Sequence, residues 1–405
     1  MTQLSLVGDV CLDSPKSQLQ LDPIFPPNTN LALGNLETPL PKDGTTKRTK
    51  AGPNIKGYIK RLPILQQHFP HWLFTVANNH AMDYGWEGLQ HTQHQCDSFA
   101  FRCLGAGPNR DAAQAPIILE QDGLRLGLLG RCETQFGVAT PTSPGVAALD
   151  ANIYNDIETL KKDCDIVILS IHGGAEICPW PSPKWQTYLR SFIDAGADIV
   201  HGHHTHVPQG YETYKHGFIC YGLGNFLANP RLWSRHRHGT WSVVPTLKLD
   251  HNQISYEIQT TVLEAVGPDI RLRPSQPEEF QRHQQYLDQC NAPLQNPALL
   301  ESIWQEAAVK LYKSFYGDYL EFARPERNVK VKPIPLARKY LGRIKRQITN
   351  SPSQRQLLLW YHLFACETHH DVIATALGVL SGELDDQRNA QSQRIVEDMM
   401  PRLVV

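Results

Sequence analysis

An α/β fold with a helical C-terminal extension is the architecture this sequence predicts, on three observations. Short apolar runs suited to buried strands recur from Leu4 to Leu263, with helical segments between several of them. Many of these runs stop at a glycine and a polar side chain, where a parallel sheet presents ligands. After Gly267 the chain reads as helices interrupted by prolines.

The first strand, Leu4–Val7, ends in Gly8-Asp9-Val10-Cys11. Asp9 is a candidate metal ligand, with a turn aspartate as the alternative. Leu31–Leu33 repeats the unit and leads through Gly34-Asn35-Leu36 to Glu37. The loop from Pro41 to Gly57 carries Lys47, Arg48 and Lys50, which read as solvated charges; a clamp on a substrate anion is the alternative. Tyr58–His68 has helical spacing. The strand Trp72–Val76 then runs into Asn78-Asn79-His80 and Asp83, a dense polar group for a plain turn. An amide oxygen there can ligate a metal and an imidazole can act as acid or donor.

Trp86–Phe99 is a helix, Arg102–Leu104 a strand, and Gly105–Asn109 a loop. Asp122-Gly123 joins two apolar runs as a hairpin. A helix over Ile153–Lys162 precedes Cys164–Ile171, the clearest buried strand, which ends at His172-Gly173-Gly174-Ala175-Glu176. The amphipathic helix Pro183–Ala195 leads to the stretch Gly196–Gly210, which holds His201, His203, His204 and His206 just past another strand. Imidazole is the commonest protein ligand for transition metals. Phe218–Tyr221 ends at Asn225, and the loop behind it carries Arg231, Arg235, His236, Arg237 and His238, read as an anion-binding edge or a solvated loop. Trp241–Leu249 and Ile254–Leu263 form a second hairpin.

These observations set residues 1–267 apart as one domain and 268–405 as a mainly helical region. Pro268–Pro277 reads as the linker, followed by helices at 278–289, 297–315, 337–348, 354–366 and 371–380. The basic run Lys330–Arg346 reads as a solvated helix face, with nucleic-acid contact as the lesser alternative. His369-His370 reads as surface.

The bulk properties narrow the function classes. A formal net charge of -1 over 405 residues gives no argument for nucleic acid or an anionic membrane. No apolar run approaches the ~18 residues of a membrane span. The opening Met1-Thr-Gln-Leu-Ser-Leu-Val leaves no room for a signal peptide before Asp9. Nine singly scattered cysteines suit a reducing compartment, so the expected location is the cytoplasm. The expected ligand is a small molecule or peptide with anionic groups. The C-terminal helices are the surface for a protein partner or self-association.

Asp9, Glu37, Asn79, His80, His172, His204 and His206 together suit two metal ions. Their motifs are Gly8-Asp9, Asn35-Leu-Glu37, Ala77-Asn-Asn-His80 with Asp83, His172 with Glu176, His204-x-His206 with Gln209, and Leu223-Gly-Asn-Phe226. In this order they resemble the CapA family, the capsule or poly-γ-glutamate biosynthesis branch of the calcineurin-like metallophosphoesterase superfamily. The resemblance covers about residues 1–250. It implies a four-layer α/β/β/α sandwich of two mixed sheets with metals at the strand ends.

By the same resemblance, Asp9 and His206 hold one divalent ion (Mn, Fe or Zn). Asn79, His172 and His204 hold a second, with Glu37 bridging. His80 faces the substrate, Asp83 orients it, and Glu176 is a further catalytic candidate. Arg235, Arg237, His238 and Asn225 are the candidate substrate contacts. Where the wider superfamily has a histidine two residues after the first aspartate, this chain has Cys11, read as core with a thiolate ligand as the alternative. Gly173 stands where many relatives have an aromatic, which is expected to open the pocket.

The leading functional expectation is a metal-dependent hydrolase of a phosphoester or amide-type bond, using a hydroxide shared by the metals. One alternative is a peptide epimerase, with Asp9, Asp13 or a pocket histidine moving an α-proton. The other is a non-catalytic assembly factor for polymer synthesis.

Overall fold

The computed structural model describes residues 1–320 except 15, 70 and 252, and residues 354–401. In chain order the first half runs β1 (Thr2–Val10), β2 (Leu19–Leu21), β3 (Leu31–Leu36), α1 (Leu62–His68), β4 (Trp72–Thr75), α2 (Gly85–Ser98), β5 (Arg102–Leu104), β6 (Ala106–Gly107), α3 (Arg110–Gln114), β7 (Ile117–Gln121), β8 (Leu124–Cys132), β9 (Gly145–Val146) and α4 (Ile153–Asp163). It continues with β10 (Ile166–His172), α5 (Pro183–Asp194), β11 (Ile199–His203), β12 (Tyr211–Tyr214), β13 (Gly217–Cys220), β14 (Asn225–Leu227), α6 (Pro230–Trp233), β15 (Trp241–Leu249), β16 (Ile254–Val266) and β17 (Asp269–Pro274). The described helices that follow are α7 (Pro277–Leu294), α8 (Pro297–Leu311), α9 (Gln354–Ala365), α10 (Glu367–Ser381) and α11 (Ala390–Met399). The helix expected at 337–348 and the whole basic run Lys330–Arg346 lie outside the described residues.

Two mixed sheets carry the fold. The first orders β2-β17-β16-β15-β1-β3-β4-β5, with β14 beside the end of β1, and the second orders β12-β13-β11-β10-β8-β7. Apolar side chains of both sheets, among them Leu4, Leu6, Leu33, Leu126, Ile168 and Phe218, share one core. On the first sheet's other face, Trp72 and Phe74 pack with Leu62 and Leu65 of α1 and Leu89 of α2. On the second sheet's, Val167, Leu169 and Val200 pack with Ile157 of α4 and Leu189 and Phe192 of α5. Alternating strand residues thus build a four-layer α/β/β/α sandwich, as expected.

Both sheets have parallel centres, β1-β3-β4-β5 and β8-β10-β11-β13. Their C-terminal ends therefore come out together, and the site residues sit there. The register of β1 against β3 shifts between Leu6 and Asp9, and against β14 between Asp9 and Val10. Irregularities of this kind re-aim a side chain next to a site. Gly8 permits the close approach of β1 to the segment before β14: a Cβ on it would meet the Gly224 carbonyl oxygen at 1.8 Å.

One expectation about the C-terminal half changes. The stretch read as a linker contains β17, which pairs with β16 through Val266↔Asp269 to Thr261↔Pro274. Ile270 and Leu272 are buried, so the alternation of Asp269–Pro274 outweighs the turn signal of Gly267-Pro268. The helical region also shares the core between the sheets: Leu287, Ile303, Trp304, Val372 and Met399 belong to the same cluster as Leu4 and Ile168. No described helix is long and apolar enough to cross a membrane.

Candidate metal centre

The centre begins with one imidazole between two carboxylates. His206 Nδ1 lies 3.4 Å from Asp9 Oδ2, and its Nε2 lies 3.6 Å from Glu37 Oε1. Asp9 stands near the end of β1 and Glu37 directly after β3, and both are 1% exposed. Asn35 donates through Nδ2 to Asp9 Oδ1 at 2.8 Å. Asn225 on β14 places its Oδ1 3.1 Å from His206 Nδ1 and gives its amide to the Gly239 carbonyl. Asn225 therefore orients His206.

The second half lies at the ends of β4, β10 and β11. His172 Nε2 is 3.1 Å from Asn79 Oδ1, and its Nδ1 is 3.2 Å from Asn35 Nδ2. The His172 and His204 rings are 4.5 Å apart. His204 Nε2 is 3.7 Å from Glu176 Oε1. Asp9, Glu37 and His206 have ligand atoms within 4.8 Å of one another, and so do Glu176, His204 and His206. Glu176, expected as a catalytic group, thus stands with the donor atoms. His204 and His206 have φ of 85° and 57°. Non-glycine residues in this region carry strain of about 1–3 kcal/mol and concentrate at functional sites.

His80 sits above this group. Its Nδ1 is 2.9 Å from Asp83 Oδ2 and 3.2 Å from Lys50 Nζ. Lys50 also pairs with Asp83 Oδ1 and donates to the Asn79 carbonyl at 3.2 Å. Asp83 is fully buried and accepts the Ile55 amide at 2.7 Å.

The electrostatics follow from burial and charge. Burial alone would raise the Asp9 carboxyl, but the hydrogen bond and charge of His206 outweigh it and hold it low. Glu37 is pushed up by burial, with the charge of Asp9 adding to it. Burial would lower His206, but Glu37 and Asp9 raise it. Burial brings His204 down to about 4 and His172 well below its usual range, so both are neutral lone-pair donors near neutral pH. His204 is 1% exposed, and among the described residues neither of its ring nitrogens has a hydrogen-bond partner. A buried imidazole left this way is costly unless a ligand takes its lone pair. The oxygen and imidazole donors, with this orphaned ring among them, fit divalent transition metals.

The other expected residues divide. Arg235 lines the cavity over the centre, whereas Arg237 and His238 line a separate cleft with Trp241 and Tyr286. Arg237 is turned away by its bond to the Asp398 carbonyl of α11. Cys11 donates its thiol to Glu37 Oε2 at 3.4 Å, and burial pushes its pKa up. Gly173 does not widen the pocket: a Cβ there would meet the Glu133 side chain at 2.7 Å, because Glu133 fills that space.

Sequence reasoning set aside two groups that the structure brings in. Lys50 is 7% exposed while Lys47 and Arg48 are exposed, and nothing in the charge pattern separates the three. His369, read as surface, is 7% exposed and lines the cavity with His362. They stand on different helices, α9 and α10, so helical spacing could not have paired them.

The family model described as bacterial capsule synthesis protein PGA_cap matches residues 3–230, more than half of the chain. The chain belongs to this family. Asp9, Glu37, Asn79, His172, His204 and His206 all lie in the matched part. The capsule biosynthesis protein CapA of Bacillus anthracis is 30% identical over 216 residues, covering 51% of this chain and 52% of that protein. The PGA biosynthesis protein CapA of Bacillus subtilis (strain 168) is 32% identical over 224 residues, covering 54% and 57%. The chain therefore spans about half the length of these relatives. Among solved structures, a hypothetical protein from Thermus thermophilus aligns with a TM-score of 0.38 at 13% identity, covering 68% of this chain and 100% of that one. A 5'-nucleotidase from Candida albicans aligns with a TM-score of 0.36 at 14% identity, covering 70% and 54%.

Proposed function

We propose that the chain is a metal-dependent hydrolase that cleaves a phosphoester or amide-type bond in an anionic substrate. The observation that carries this reading is His204, buried and, among the described residues, unbonded at both ring nitrogens beside two sets of convergent ligand atoms. Asp9, Glu37 and His206 would hold one ion, and Asn79, His172 and His204 the second, with Glu176 at its rim. Bound there, divalent ions supply Lewis acidity and lower the pKa of water.

The remaining steps belong to the protein's own groups. Asp83 fixes the proton of His80 on Nδ1, which leaves Nε2 to the cavity that His80 lines. Burial lowers the His80 pKa, so Nε2 carries a lone pair near neutral pH and can take and return a proton. Lys50 and Arg235 supply positive charge for the substrate anion. The family description associates such proteins with capsule synthesis, and we place this reaction in the making of an anionic polymer.

The test is a panel of aryl phosphomonoesters, phosphodiesters and peptide anilides, assayed with Mn or Zn. Turnover of one class is expected, reduced on the order of a hundredfold or more by His80→Ala. Failure of every class, with both metals bound, would contradict the reading.

A further inference from the structure

The family match ends at residue 230, yet helices far beyond it close over the metal centre. A cavity of about 490 Å³ has Glu37, Asn79, His80, Glu176 and His206 on its floor. Its roof comes from the C-terminal region. Phe315 and Tyr319, four residues apart on the turn that continues α8, line it together with Leu359 and Leu363 of α9. A π-turn over Tyr312–Tyr316 sets that aim, and such turns recur at functional sites.

The roof is tied down. His369 Nδ1 is 2.8 Å from the Tyr316 hydroxyl, and its Nε2 is 3.0 Å from His362 Nε2. The His362 ring stacks on Phe136 at 5.0 Å and 17°. Glu133, just past β8, accepts both the amide and the hydroxyl of Thr368 at the start of α10. Trp233 adds a further wall, its ring 4.3 Å from that of His206.

The cavity therefore has two chemically distinct ends. Around the metal centre are carboxylates, imidazoles, Lys50 and Arg235; above it the walls are aromatic and aliphatic. A free inorganic anion would engage the polar end alone. Tyr319 is 44% exposed and Leu232 54% exposed at this cavity, so apolar surface stands open to water beside the site. Concave, mostly apolar sites with a few convergent polar groups bind organic ligands by burying their bodies.

We propose that the C-terminal helices form a subsite for the apolar or aromatic body of the substrate, so that the centre acts on an anionic compound carrying a hydrophobic group. This rests on the hydrolase reading, whose metal centre holds the anionic head.

The test compares two inert anions, methylphosphonate and phenylphosphonate, binding to the manganese-loaded full chain by calorimetry. Phenylphosphonate is expected to bind at least about tenfold more tightly. Phe315→Ala should reduce that ratio to within about twofold of unity. Tyr319→Ala, a change at an exposed residue that leaves the core intact, should reduce it as well. The ratio is internal to each protein, so a loss of total binding does not imitate the effect. Equal affinities in wild type, or a preference that survives both substitutions, would overturn the subsite while leaving the hydrolase reading standing. A chain that takes up no manganese and binds neither anion would overturn both.

Discussion

Glu133 and Thr368, 235 residues apart, share two hydrogen bonds on one carboxylate oxygen: the Thr368 amide at 2.9 Å and its hydroxyl at 2.6 Å. The other Glu133 oxygen accepts the Gly174 amide at 3.0 Å. One buried carboxylate thus joins the end of β8, the loop after β10 and the first turn of α10. Replacing it removes the acceptor of the Thr368 amide and hydroxyl and leaves the Gly174 amide only its contact with Thr368 Oγ1 at 3.2 Å. Glu133→Ala should lower stability by roughly 2–4 kcal/mol, with Thr368→Val costing about 1 kcal/mol. Denaturant unfolding of both variants measures this, and a loss below about 0.5 kcal/mol for Glu133→Ala would mean that the latch holds nothing.

Lys50 and His80 both lean on Asp83, so their effects should separate kinetically. Lys50→Ala removes charge near the substrate anion and should raise KM roughly tenfold. Asp83→Asn removes the carboxylate charge that holds the His80 proton on Nδ1 and should lower kcat roughly a hundredfold. Steady-state kinetics on the best phosphoester or anilide checks the split; the two variants changing KM alike would contradict these assignments.

Arg235 and Arg237, two residues apart, face different cavities. Arg235→Ala should weaken substrate binding about fivefold to tenfold, while Arg237→Ala should leave kcat/KM within about twofold of wild type. The reverse pattern would show that the anion enters through the Arg237 cleft.

Much of this centre could be read from the sequence. Asp9, Glu37, Asn79, His172, His204 and His206 each follow or end a short apolar run, and parallel strands must deliver such residues to one edge. Asp83 was legible for the same reason, lying three residues from His80. Local pattern could not distinguish Lys50 from Lys47 and Arg48, because its burial depends on Asp83, which arrives from a different loop. It could not place Arg237 and His238, whose direction is set by α7 and α11. It misread β17, whose strand alternation lies behind Gly267-Pro268, and it missed the inward turn of His369, which depends on Tyr316 and the latch at Thr368. Apart from β17, whose pairing with β16 is a local hairpin, each miss is a contact between segments far apart in the chain.

The Arg273–Glu279 pair gives a pH dependence away from the metals. Arg273 Nη1 donates to Glu279 Oε2 at 2.7 Å and Nη2 to Oε1 at 2.9 Å. Glu279 also accepts the Gln276 amide that caps α7. The hydrogen bonds from Arg273 bring the Glu279 carboxyl from 4.5 down to about 2. A lowered folded pKa contributes stability that is present above the unfolded value of 4.5 and lost as pH falls through about 2. Glu279→Gln should therefore cost about 1 kcal/mol at pH 7 and flatten the acid limb of the stability profile. Unfolding midpoints from pH 2 to pH 7 test this; parallel profiles for wild type and variant would rule the linkage out.

In the proposed hydrolase, two ions are held between Asp9, Glu37, His206 and the histidine pair His172 and His204. Elemental analysis of the purified full chain, beside His204→Ala and Glu37→Ala, tests it most directly. About two equivalents of Mn, Fe or Zn in wild type, falling to one or fewer in each variant with the fold retained by circular dichroism, is the predicted result. Wild-type protein with no bound metal, and none taken up after dialysis against Mn or Zn, would contradict it.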